Sequence, residues 1–142
     1  MPAGFLVSPD LSHRPVNFEL AQASEFLGGI TDDRVSVSFQ EDGTTFAALY
    51  NPDAKARGAE PNPVASLGRN AEATGNAAFL ADPTGAISGP VIFVGAQGQD
   101  IGPDEVERIR DGIRAVKNYR EDYPEEYWLW RAAVLNLGRL DV

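Results

Sequence analysis

The segment RVSVSFQEDGTTFAALY, residues 34–50, constrains the fold more than any other stretch. Val35, Val37 and Phe39 alternate with Ser36 and Ser38, so an extended chain here has one apolar and one polar face. Asp42-Gly43 follows, a pair that accepts the positive φ angles of a tight turn. Phe46, Ala48 and Tyr50 continue the pattern on a return strand. A hairpin with one apolar face needs a second layer over that face, and the rest of the chain supplies it.

A further strand is expected at Pro90–Val94, where PVIFV is apolar on both faces and so suits the inside of a sheet, with Pro90 at its start. Residues 1–14 read as an extended arm in which Gly4–Val7 forms an edge strand. Helices are expected over Asn17–Leu27, stopped by Gly28-Gly29, and over Pro63–Ala73, capped by Asn62 with Pro63 in the first turn. The segment 103–120 is amphipathic, with Val106, Ile109, Ile113, Val116 and Tyr119 as its buried stripe. Its acids gather at the start and its bases near the end, which complements the helix dipole. Pro124 separates it from a last helix closing at Gly138. The fold class expected is α+β: a small antiparallel or mixed sheet with helices packed on one face, plus a C-terminal helical pair, all in one domain spanning residues 1–142.

Composition excludes several kinds of chemistry. The 142 residues contain no cysteine and one histidine, so disulfides, thiolate metal sites, cysteine nucleophiles and sites with two imidazoles are absent. The formal charge of −9 opposes non-specific attachment to nucleic acid or to an anionic membrane surface. No apolar run nears the roughly 18 residues of a membrane span, and the first fifteen residues lack the order of a secretory signal. A cytoplasmic location is the expectation.

Few residues suggest catalysis. EPNPVASLGRNAEATG, Glu60–Gly75, has the look of a phosphate-binding turn. However, Pro63 removes one of the amides such a cradle uses, and no Lys follows. Its structural reading, a capped helix, ranks above a ligand site built from Asn62 and Arg69. His13 beside Asp10 or Glu19 is a weak general-base candidate. Asp32-Asp33 suits a helix-to-strand turn better than a metal site. No cofactor and no metal is expected. Aromatic residues concentrate in EEYWLW, Glu125–Trp130. On a helix, Tyr127, Trp130 and Val134 share one face, while Trp128, Arg131 and Leu135 share another. Tyr127, Trp128, Trp130 and Arg131 are therefore the interface candidates, because aromatic residues and arginine are enriched where proteins meet.

Four features taken in order resemble the family catalogued as domain of unknown function 3846, found in phages and bacteria. They are EFLGG (Glu25–Gly29), the hairpin around Asp42-Gly43, NPVASL (Asn62–Leu67) and ISGPVIFVG (Ile87–Gly95). The similarity covers roughly residues 17–110. The long loop RNAEATGNAAFLADPTGA and the extension beyond about Asp111 depart from it. The resemblance implies a compact α+β module, often carried by phages or mobile elements, and supplies no catalytic residue. It makes Asn62 and Gly89 recurring cap and turn residues.

Three functions follow from these readings. The first is a non-enzymatic accessory protein that binds a host protein in the host cytoplasm, with an anti-defence role included. The second is an acidic DNA mimic that inhibits a nucleic-acid-binding enzyme. The third is a protein that sequesters a nucleotide or another small anionic ligand near Asn62, Arg69 and the 68–86 loop, most simply across a homo-oligomer interface. An enzyme ranks last, because no nucleophile–base or metal-ligand set is visible.

Overall fold

Five short strands pair into one antiparallel sheet in the computed structural model, which describes residues 3–17, 34–37, 46–51, 59–67, 86–95 and 100–140. They are β1 (Ala3–Val7), β2 (His13–Asn17), β3 (Arg34–Val37), β4 (Phe46–Leu49) and β5 (Val91–Val94). The spatial order is β2-β1-β5-β4-β3. Among the described strands, the last in sequence is thus the middle one in space, and it joins the β1–β2 pair to the β3–β4 pair.

Strand composition explains this placement. Val91 and Phe93 face one apolar cluster with Phe5, Val7, Phe46 and Ala48. Ile92 and Val94 face a second, with Leu6, Val16, Ala47 and Leu49. Side chains alternate across a strand, so a run apolar at every position is stable only where both faces are buried. β4 is also buried at all four positions, so its pattern is less one-sided than the alternation of Phe46, Ala48 and Tyr50 predicts.

Gly4–Val7 does not form the predicted edge. β1 is paired on both sides, because the chain turns at Ser8–Ser12 and lays β2 outside it. Leu11 N–H donates to Ser8 O (2.9 Å) and Ser8 N–H to Ser12 O (2.9 Å). Leu11 has φ 75°, a left-handed conformation that usually selects glycine. Leucine is kept there because its side chain lies in the core, 8% exposed. Pro15 then falls on the outer strand opposite Phe5. A proline withholds a donor at a sheet edge, which discourages pairing with another chain.

The expected pairing of β3 with β4 is antiparallel, in a register that a two-residue turn at Asp42-Gly43 does not produce. An unbroken ladder turning on Asp42-Gly43 alone sets Val37 against Ala48, whereas the observed partner is Phe46. The Asp42-Gly43 pair itself, the helix expected after Asn17 and the 68–85 loop lie outside the described residues. Asn17 ends β2.

Helical segments follow at α1 (residues 63–67), α2 (Pro103–Asp122) and α3 (Pro124–Leu140). All three bury side chains in the cluster on the same sheet face: Val64, Ala65 and Leu67; Ile109, Ile113 and Val116; Tyr127, Trp130 and Val134. The predicted stripe of α2 is observed, with Val106 and Tyr119 packed at its margins. Each large apolar side chain so buried contributes about 1.5–3 kcal/mol. One residue, Tyr123, separates α2 from α3. Its N–H donates to Tyr119 O (2.8 Å), and its carbonyl accepts from Tyr127 N–H (3.1 Å). Pro124 lacks an amide hydrogen and stands where α3 needs none. α3 runs through Gly138 to Leu140 rather than closing at the glycine.

Candidate functional site

The start of α1 is a buried polar junction. Asn62 is fully buried, and its Oδ1 accepts from Ala65 N–H (3.1 Å), the expected N-cap bond. Its Nδ2 donates to Val7 O (3.0 Å), at the end of β1, and to Gly89 O (3.0 Å), just before β5. Its backbone N–H donates to Ile87 O (2.8 Å). Ser66 adds to the junction, since Ile87 N–H donates to its Oγ (3.0 Å), which donates to Asn62 O (2.7 Å). Gly89 turns the chain at φ 82°, and its N–H donates to Glu60 O (2.9 Å). The Asn62 side chain is thus wholly engaged within the fold. Arg69, its expected companion in an anion site, lies outside the described residues, as does Asp32-Asp33.

The aromatic helix presents a different surface. Tyr127 and Trp130 are buried, whereas Trp128 is 55% exposed and Leu129 71% exposed. The four predicted interface residues therefore divide. Tyr127 and Trp130 pack on the sheet; Trp128 and Arg131 face outward beside each other. The Arg131 guanidinium lies 5.2 Å from the Trp128 ring centre, within cation–π range. Its Nε donates to Glu60 Oε2 (2.9 Å), and Nη2 reaches Oε1, completing a two-pronged pair. That pairing raises the Arg131 pKa further, so the cation is permanent.

Two adjoining cavities, of 650 Å³ and 510 Å³, open along this surface. Both are lined by Asp10, Arg120, Tyr127 and Trp128. The larger adds Leu11, Ser12, Lys117 and Glu121; the smaller adds Glu60 and Arg131. Together they form a groove between the β1–β2 turn, the last turns of α2 and the first turns of α3. Tyr127 forms its floor, with the Arg120 guanidinium 5.0 Å from the ring centre. Burial raises the Tyr127 hydroxyl pKa, so the floor stays a neutral phenol. Asp10 Oδ1 accepts from Ser12 Oγ (2.6 Å) and Ser12 N–H (3.0 Å), and these bonds hold its carboxyl below the usual aspartate range.

Of the residues lining the groove, the sequence singles out Tyr127, Trp128 and Arg131 as interface candidates, and it gives no sign that Asp10, Glu60, Lys117 and Arg120 lie beside them. The Ser8-Pro9-Asp10 turn signal was available, because proline suits the first central position of such a turn. Leu11 in place of the usual glycine hides the hairpin. His13 is exposed on β2 with its ring against Phe5 (5.5 Å between centres), and its Nδ1 lies 3.1 Å from Leu11 O. It does not line the groove. Among the described residues, no three carboxylate or imidazole groups gather as a metal site, and no helix is long and apolar enough to cross a membrane. Compared with known proteins, the chain matches no family model, no curated protein and no solved structure.

Proposed function

We propose that this chain is a non-enzymatic binding protein that engages a partner protein through the groove at α3, with Trp128 as anchor. One observation carries the reading: a half-exposed indole is held in place by Arg131, which is itself held by Glu60. A large aromatic surface ordered before binding loses little conformational freedom on contact, which is why such residues dominate binding energies. The rim of the groove is open to water. Asp10, Ser12, Lys117, Arg120, Glu121 and Trp128 are all exposed, which suits a surface that a protein segment covers.

The resemblance to the phage and bacterial family makes a host protein the natural partner, with the host cytoplasm as the place of action. Affinity capture from bacterial host cells, comparing wild type with Trp128→Ala, tests the reading. A partner that is retained by the wild type and lost by the folded variant supports it. Equal capture by both removes the groove as the site. Duplex DNA that displaces the partner at low salt, and fails to at high salt, would mark nucleic-acid mimicry instead.

A further inference from the structure

We infer that the groove takes an acidic peptide segment of the partner, with one carboxylate seated between Lys117 and Arg120 and a neighbouring apolar side chain on Trp128. This rests on the proposed binding role and names the chemistry of the partner. Lys117 and Arg120 stand three residues apart on α2 and line the same 650 Å³ cavity. Side chains at that spacing are neighbours on a helix surface, so two cations there repel.

Ion pairing distinguishes them from three arginines of the same two helices. Arg110 is paired with Glu107, Arg114 with Asp111 and Arg131 with Glu60. Among the described residues, neither Lys117 nor Arg120 has a carboxylate within ion-pair distance. The two acids of the same cavity do not fill the role: Asp10 is bonded to Ser12, and Glu121 makes no ion pair with either cation among the described residues. An incoming carboxylate would relieve the repulsion and accept hydrogen bonds from both.

The rest of the cavity suits the residue next to that carboxylate. The exposed Trp128 ring, Leu11 and the Tyr127 floor are largely apolar and line the same cavity as the cations. The smaller cavity continues past Trp128 to Pro9 and Ser8, so an extended chain can cross both. The net charge of −9 is no obstacle at physiological salt. Charges more than about 8 Å apart are screened there, whereas the two cations would touch the bound carboxylate.

The test is selection from a displayed random-peptide library on the full chain, followed by titration of a selected synthetic peptide. The inference expects enrichment of Asp or Glu beside an aromatic or aliphatic residue. Binding of the selected peptide should fall by about tenfold or more both in Lys117→Glu/Arg120→Glu and in Trp128→Ala. The milder Lys117→Gln should give an intermediate loss, and circular dichroism should show each variant folded. Enriched peptides that need Trp128 but show no acidic preference would overturn the inference and leave the binding role standing. Enrichment of basic peptides would do the same. Failure to select any Trp128-dependent peptide would overturn both. A dimer that Trp128→Ala dissolves would make a second copy the occupant and overturn the peptide assignment.

Discussion

Arg131 on α3 grips the carboxylate of Glu60, 71 residues earlier in the chain, with Nε 2.9 Å from Oε2. The pair joins the first turns of the aromatic helix to the segment that leads into Asn62. It also places the guanidinium beside Trp128. Its side chains are 29% and 49% exposed, so water and salt weaken it, and its stability contribution is expected within about 1 kcal/mol. Glu60→Gln should therefore barely move the urea midpoint. It should increase the mobility of Trp128, read as lower fluorescence anisotropy in a Trp130→Phe background. Unchanged anisotropy would show that the Glu60 pair does not hold the indole in place.

Asn62 should be among the least replaceable polar residues. Asn62→Ala removes the cap and leaves the Val7 and Gly89 carbonyls without a donor. A lost cap costs about 1 kcal/mol and a buried unpaired group about 1–3 kcal/mol, so a loss of roughly 3 kcal/mol or more is expected by urea denaturation. Asn62→Asp keeps the acceptor for Ala65 but puts a buried carboxylate against two carbonyl oxygens. Its folded-state pKa should rise above the unfolded value. The variant should thus be most stable below the unfolded carboxylate pKa and lose that stability as pH rises. A flat pH dependence relative to Asn62→Ala would contradict the geometry.

The two tryptophans should separate stability from binding. Trp130 is 7% exposed in the core, and Trp130→Ala should cost about 3–5 kcal/mol. Trp128 is half exposed, and Trp128→Ala should change stability by less than about 1 kcal/mol while weakening partner capture. Thermal unfolding and capture on the same preparations test both. Equal destabilisation would mean that Trp128 is structural.

Asp10 makes the β1–β2 turn sensitive to acid. Its pKa is lowered mainly by the Ser12 hydroxyl and then by the Ser12 amide. A lowered folded-state pKa means that the carboxylate supports the fold above its unfolded pKa, and that this support fades as pH falls through the folded value. Asp10→Ala should be less stable than wild type at neutral pH, with the gap closing at the acid end of a urea-midpoint series. A gap independent of pH would show that the charge plays no part.

Local pattern makes the main elements readable in the sequence. PVIFV is apolar at every position, and a strand of that kind is stable only between neighbours with both faces covered. Ile109, Ile113 and Val116 recur with the period of a helix, and Asn62-Pro63 is a capping signal that acts within one turn. Tyr127 and Trp130 were equally readable as one face of a helix, but whether that face or the one bearing Trp128 met the sheet was not.

The amino-acid order alone determined the α+β class, the interior character of β5, the buried stripe of α2 and the cap on α1. Each depends on neighbours within a few positions, where helix or strand geometry dictates which side chains meet. Only the tertiary structure decided that β1 is internal, that Val37 and Phe46 are partners in the strand register, and that Asp10, Glu60, Lys117, Arg120 and Trp128 converge on one groove. Those relationships join residues far apart in the chain. They arise when the sheet and the helical pair bury a common core, a condition that no local pattern encodes.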